Sequence, residues 1–287
     1  MDKLNRLGWA EGISFISYGV RIGIRASREG LVGTLNDRLP PGWKPHPGQI
    51  VDRLYSFVVG GDDPLRKRRL LYLLYGDGTR VARDRELEPV LDAFESDLRL
   101  SVAFAARQRV FVHAGVVGWR GKAIVIAGKT FTGKTTLAAE LVKLGAEYYS
   151  DEYAVLDLSG RVRPFPRPLS IRDPATARTH YLSVEEFGGR AGVKPLSVGM
   201  VVDTRYREGA RWHPMRVSPG AGAMVLLANT VSARHRPARN LPVIRKAVSS
   251  AIILRGVRGE AATVARDLLA RMDQADAEPD RRALGTF

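Results

Sequence analysis

The chain contains no cysteine. That absence excludes disulfides, thiolate zinc sites and cysteine nucleophiles, so its chemistry has to come from oxygen and nitrogen groups. No apolar run reaches the length of about 18 residues that a membrane-crossing helix takes, and the opening MDKLNRLGWAEG lacks the apolar centre of a secretory signal. We therefore expect a cytoplasmic protein with no membrane partner. Histidine is scarce. His46, His180, His213 and His235 show neither metal-ligand spacing nor an adjacent carboxylate. Also missing are internal repeats, low-complexity tracts, zinc-finger spacing, basic heptads and the aromatic and glycine pattern of RNA-binding sheets. Nucleic acid is accordingly not the expected partner.

What the sequence has in excess is arginine-dominated positive charge. Lysine and arginine number 45 against 30 acidic residues, a net charge of +15 dispersed over most of the 287 positions. Such a field favours acidic or phosphate-bearing partners, although a solvated basic surface has the same composition. With 45% hydrophobic residues, the chain is long enough to bury one large core or two small ones.

Patterning divides it into a smaller mixed α/β domain over 1–108 and a second domain over 109–287. In the first, SYGVRIGIR (17–25) alternates as a half-buried strand does. LPPGWKPHPG (39–48) is too proline-rich for a regular element, LYSFVV (54–59) is an apolar run, and LLYLLYGDGTRVAR (70–83) reads as a hairpin around Gly-Asp-Gly. From Glu86 to Arg107 the period changes, and Leu91, Phe94, Leu98, Val102 and Ala105 share one helical face. In the second domain, QRVFVHAGVVGW and AIVIAG read as strands, YAVLDL and RVRPF as a hairpin, and RPFPRPLSIRDP as an irregular arm. PLSVGMVVDT and VSSAIIL are strand-like, SPGAGAMVLLANTV runs from loop into helix, and a final helix near Glu260 to Met272 precedes a tail expected to fray.

Within 109–287, Gly128, Lys129, Thr130, Phe131, Thr132, Gly133, Lys134 and Thr135 satisfy G-x-x-x-x-G-K-[ST] at every fixed position. The spacing has a physical basis. Glycines let the chain fold back so that its N–H groups converge on a β-phosphate. Lys134 reaches the β- and γ-phosphate oxygens, the Thr135 hydroxyl ligates Mg²⁺, and Thr136, the next residue, is a further candidate for nucleotide binding. A buried strand, Ala123 to Ala127, precedes the loop. After it Leu137, Leu141 and Leu144 form one helical face that ends at Gly145, as a C-cap would. These features predict binding of Mg²⁺ and ATP.

A phosphate cradle also needs a carboxylate, and Asp151 is the first choice in Ser150-Asp151-Glu152, with Glu152 beside it as a second metal ligand. The preceding AEYY is short and contains Glu147, unlike the apolar strand before the aspartate of mechanical ATPases. This favours a carboxylate that activates a hydroxyl. Arg167 and Arg172, in the proline-framed arm, are candidates to offset charge on a transferred phosphoryl group. His113, shortly before the cradle, is a further catalytic candidate.

Taken together, FVHAG with His113, the cradle and Asp151-Glu152 resemble the HPr kinase family, bacterial P-loop serine kinases whose fold resembles the nucleotide-binding part of phosphoenolpyruvate carboxykinase. The resemblance covers roughly residues 109–270. Through YYSDEYAVLD, PFPRPLSIRD and LLANTV it extends to HPr-kinase-related proteins and the kinases of lasso-peptide gene clusters. It implies an α/β fold with a P-loop kinase core, and an ATP-dependent transfer to a hydroxyl, commonly a protein or peptide serine. By analogy Asp151 is the general base and His113 sits beside the transferred phosphate. The sequence departs from the family at Thr136, where an acidic residue is usual, and at Glu152, where an aspartate is. It also has no convincing HPr-docking motif, since ILRGVRG (253–259) reads as a strand-ending turn, and this argues against HPr as substrate. Family members are often oligomeric, so a homo-oligomer is compatible with the resemblance. The expected acceptor is a peptide or protein serine, acidic in its surroundings. A small-molecule hydroxyl, or a nucleotide-regulated module that binds nucleic acid or a partner, are the alternatives.

Overall fold

The computed structural model describes residues 2–60, 70–128, 132–172 and 179–277, and the chain divides into two compact units, 1–108 and 109–287. The first unit comprises α1 (Asp2–Asn5), β1 (Glu11–Ser17), β2 (Val20–Ala26), a 3-10 helix (Val32–Arg38), β3 (Lys44–Pro45), β4 (Arg53–Gly60), β5 (Leu71–Gly76), β6 (Thr79–Asp84) and α2 (Leu87–Ala105). Among the described residues its strands form one six-stranded mixed sheet in the order β3-β1-β2-β4-β5-β6.

The run 17–25 is not one strand. Tyr18 (φ 49°) and Gly19 (φ 82°) both take left-handed conformations, the requirement of a tight two-residue hairpin turn, so that Ser17 pairs with Val20. The turn escaped sequence reading because tyrosine rarely adopts positive φ. The expected 70–83 hairpin forms around Asp77 (φ 48°) and Gly78 (φ 86°). Helix α2 buries Leu91, Phe94, Leu98 and Val102. Phe94 packs edge-on against Tyr55 and Phe57, with ring centroids 5.1 and 5.2 Å away. Full burial of a side chain of this size contributes about 1.5–3 kcal/mol, and edge-to-face geometry about 1 kcal/mol more.

The second unit comprises β7 (Arg109–Trp119), β8 (Lys122–Ala127), α3 (Lys134–Lys143), β9 (Glu147–Ser150), β10 (Tyr153–Asp157), β11 (Val162–Arg163), β12 (Leu169–Arg172), β13 (Thr179–Leu182), β14 (Ser197–Tyr206), β15 (Met215–Val217), α4 (Pro219–Ala228), α5 (Pro237–Val248), β16 (Ile252–Arg258) and α6 (Ala261–Ala277). Its main sheet runs β11-β10-β7-β8-β14-β16-β15, with β9 also on β7. Strands β8, β14 and β16 are parallel and the others antiparallel. This is a second mixed sheet, covered on both faces. Alternate residues of β7 and β8 (Val112, Val116, Val125) pack under Leu226 of α4 and Val243 and Ile244 of α5. The intervening ones (Val117, Ile124, Ile126) pack under Leu137 and Leu141 of α3 and Leu268 of α6. Period-2 strands have met period-3.6 helices on both sides, which places α3 and the glycine loop at one end of the sheet.

Further sequence expectations need correction here, for Lys44 and Pro45, in the run read as irregular, pair with Ile16 and Phe15 as an edge strand. The second half of the proline-framed arm is regular, with Leu169 paired to Leu182 and Arg172 to Thr179. Helix α5 was not anticipated, because Pro242 lies inside it and proline inside a helix removes a backbone donor. Val243, Ile244, Ala247 and Val248 nevertheless give it one buried stripe. The last helix also continues to Ala277, into the tail expected to fray, of which residues 278–287 lie outside the described part.

Candidate functional site

Buried strand β8 ends at Ala127, and the chain re-enters regular structure at Lys134, the first residue of α3. Gly133, just before it, sits at φ 80°, ψ 26°, left-handed space that glycine enters without steric cost. Space as well as conformation requires it, since a Cβ there would collide with the Arg258 guanidinium. At the other end of the loop a Cβ on Gly128 would lie 2.7 Å from Thr132 Oγ1. Lys129, Thr130 and Phe131 lie outside the described residues. No side chain caps the N-terminus of α3, so its first amide groups keep their capacity for an anion. On β7, Gly115 faces the first turn of α3, where a Cβ would stand in ordinary contact, 3.7 Å from Lys134 Cβ.

The acidic pair lies on the far side of β7. Strands β9 and β10 both pair with β7, β9 at Gly118–Val116 and β10 at His113–Arg109. The turn between them, Asp151-Glu152, therefore passes beside the middle of β7, and the Ala114 amide donates to the Glu152 carbonyl across 3.1 Å. Ser150 fixes the turn by accepting hydrogen bonds from the amides of Glu152 (3.1 Å) and Tyr153 (2.9 Å). Asp151 is 8% exposed. Its Oδ2 accepts from the Thr135 hydroxyl at 3.2 Å and its Oδ1 from the Tyr148 hydroxyl at 3.0 Å. Burial first, and then the Asp151 charge, push the Tyr148 pKa far up, so the phenol keeps its proton and donates. Burial lowers the Lys134 pKa, with Asp151 partly offsetting it.

His113 faces the same side of β7 as Gly115. It keeps an exposed edge, while its ring lies 4.8 Å from that of its cross-strand partner Tyr153. Partial desolvation, then the nearby Lys134 charge, hold its pKa below the ordinary histidine value. Tyr153 continues into an edge-to-face cluster with Phe111 and Phe165. Phe165 anchors the start of the proline-framed arm, its amide donating to the Tyr149 carbonyl at 3.0 Å. That anchor carries Arg167 to Glu152, where the two form an ion pair at 3.6 Å.

The structure thus gathers Lys134, Thr135, Asp151 and His113 around the start of α3, and places Glu152 with Arg167 beside them. Thr136 is exposed. The side chain of Arg172 lies outside the described residues. Sequence reading missed Tyr148, which holds Asp151, although AEYY placed two tyrosines where one had to face the carboxylate. It also missed Arg258, having treated 253–259 as a plain strand end. Arg258 is 2% exposed and donates to the carbonyls of Gly133 (2.7 Å) and Gly259 (2.9 Å).

No family model matches the chain, and no curated protein matches it. A solved structure of the Hpr(Ser) kinase/phosphatase from Coxiella burnetii aligns with 58% of this chain and 98% of its own, at 12% sequence identity and a TM-score of 0.34. That likeness is too distant to assign a function. Among the described residues no helix is long and apolar enough to cross a membrane, and no cluster of three or more His, Cys, Asp or Glu forms a ready metal cage.

The donor set instead suits a cation that brings most of its ligands with it. A hydroxyl and a carboxylate 3.2 Å apart are hard oxygen donors of the kind Mg²⁺ uses alongside water and phosphate oxygens. With Lys134 close by and the uncapped start of α3, the arrangement can receive a chain of phosphates beside the Asp151 carboxyl.

Proposed function

We propose that this protein is an ATP-dependent phosphotransferase of the HPr-kinase type that moves the γ-phosphoryl group to a hydroxyl, the acceptor being a serine of an acidic peptide or protein. The observation that carries this reading is the 3.2 Å contact between Thr135 and Asp151, which sets a single carboxylate against the residue that follows the glycine-loop lysine. Loop 128–133 and the first turn of α3 would hold the triphosphate through backbone N–H groups, with Lys134 on its β- and γ-oxygens. Thr135 and Glu152 would hold Mg²⁺, which when bound supplies positive charge against the phosphate oxygens, and Asp151 would take the proton.

In the transfer, the acceptor oxygen bonds to the γ-phosphorus, the bond from that phosphorus to the β–γ bridging oxygen breaks with ADP leaving, and the hydroxyl proton passes to Asp151. Tyr148 keeps the receiving carboxylate aimed. Neutral His113 adds no charge beside Lys134 and is free to hydrogen-bond the phosphoryl group. Arg167, once released from Glu152, is the arginine assigned to the developing charge, and Arg172 on the same arm is the second. A small-molecule hydroxyl would be handled by the same steps.

The reading is tested by incubating the purified chain with γ-labelled Mg-ATP, acidic serine peptides and a metabolite extract, and locating the label by mass spectrometry. Label on a serine or other hydroxyl is expected. Retention of all label in ATP and free phosphate, with steeply salt-dependent nucleic-acid binding by the same protein, would overturn it in favour of a nucleotide-regulated binding module.

A further inference from the structure

The loop rests on two buried polar groups that no role in the transfer accounts for. Arg258, at the end of β16, is among the largest fully buried side chains and is 2% exposed. Its two terminal nitrogens donate to the Gly133 and Gly259 carbonyls, while its Nε has no hydrogen-bond partner among the described residues. Among the described residues no carboxylate lies within ion-pair distance of it. The Tyr206 ring, opposite on β14, lies 5.6 Å from the guanidinium. The second group is Thr204 on β14, 6% exposed, whose hydroxyl is also without a hydrogen-bond partner among the described residues. Its carbonyl lies 3.4 Å from where a Cβ of Gly128 would stand. So the two fixed glycines of the loop are backed from β14 and β16, Gly128 by the Thr204 backbone and Gly133 by the Arg258 guanidinium.

A buried cation without a counter-ion is costly unless something compensates it. Gly133, whose carbonyl Arg258 holds, is the residue at which the uncapped start of α3 also presents its partial positive charge. We infer that Arg258 is a positioning residue for a bound polyphosphate: it fixes the Gly133 carbonyl, and hence the loop, from behind, and the anion held on the front of the loop is the missing counter-charge. This rests on the phosphotransferase reading above, and adds to it a device that makes the empty site the costly state. Burial lowers the Arg258 pKa, and the exposed Glu260 offsets this only in part, the direction expected for a cation awaiting a partner.

The consequence has an unusual sign. Replacing a merely structural buried arginine weakens the fold, whereas for an uncompensated one the two lost hydrogen bonds are offset by removal of a costly buried charge, so an apolar side chain of similar length leaves the empty protein about as stable and holds the anion more weakly. The test compares wild type, Arg258→Met and Arg258→Lys by thermal unfolding, and by calorimetric titration with Mg-ATP and with inorganic tripolyphosphate. For Arg258→Met the melting temperature without ligand should be no lower than that of wild type. Affinity for both polyphosphates should fall by about tenfold to a hundredfold, the range for outer-shell partners of a bound group. Arg258→Lys, which restores the charge, should recover part of the loss.

If Arg258→Met fails to fold or melts lower than wild type, the residue is an ordinary structural arginine and the inference is overturned. Unchanged affinity in a folded Arg258→Met overturns it too, while leaving the phosphotransferase reading intact. Wild type binding neither polyphosphate would sink that reading itself.

Discussion

Tyr148 and Asp151, three residues apart across the end of β9, are joined by a buried hydrogen bond in which the phenol donates to Oδ1 at 3.0 Å. The bond leaves Oδ2 to face Thr135, so the two oxygens of one carboxylate are divided between a holding contact and the working end of the loop. Tyr148→Phe keeps the ring that fills the core and removes only the donor. We expect phosphotransfer to fall about tenfold to a hundredfold, as for other outer-shell partners, with ATP affinity within about threefold of wild type. Single-turnover rates set beside an ATP titration check this. Equal loss in both would mean that the tyrosine acts on folding alone.

Asp151→Asn preserves shape and removes the proton acceptor. Positioned general bases contribute roughly 10²–10⁴-fold, and transfer should drop by that range while Mg-ATP still binds. Full transfer by the asparagine variant would remove Asp151 from the role of base.

Two glycines with nearly the same backbone separate conformation from contact. Gly133 (φ 80°) and Gly121 (φ 79°) are both left-handed, but a Cβ meets Arg258 at the first and nothing within 4 Å at the second. Alanine at either position carries a left-handed strain of roughly 1–2 kcal/mol. Gly121→Ala should therefore lower the melting temperature and leave Mg-ATP affinity unchanged, whereas Gly133→Ala should lower both. Denaturation curves and nucleotide titrations of the pair provide the comparison.

His113 gives the protein a signed acid response. Its folded-state pKa lies below the ordinary value of 6.5, so between those two values the unfolded chain binds more protons than the folded one. Stability from this group is complete above about pH 6.5 and is lost as pH falls through the lowered value. The drop in melting temperature between pH 7.5 and pH 5 should be smaller in His113→Gln than in wild type. An identical drop would show that the histidine is not desolvated beside Lys134.

Much of the site was legible because it is local in sequence. Gly128, Gly133, Lys134 and Thr135 stand out by their spacing, and His113 and Asp151 stand near enough along the chain to be placed by strand order. The residues that were missed act across long separations. Arg258 reaches Gly133 from 125 residues away, and nothing in ILRGVRG distinguishes a buried arginine from an exposed one until β14 and β16 are paired. Tyr148 was hidden for another reason. In YY both rings are buried, and strand alternation sends Tyr148 into the cluster under α3 and Tyr149 into the one beneath α4 and α5. Helix α5 stayed unread because local proline chemistry opposed it and burial of Val243, Ile244, Ala247 and Val248 overrode that preference.

If the loop ahead of α3 receives a triphosphate through Lys134, calorimetric titration of Mg-ATP into wild type and Lys134→Ala will separate the two proteins. Wild type should show a single site with a dissociation constant of about 1 μM to 1 mM, the usual working range of enzyme substrates, weakened at least tenfold by the alanine. Absence of binding to the wild-type chain, or equal binding to both, would contradict it.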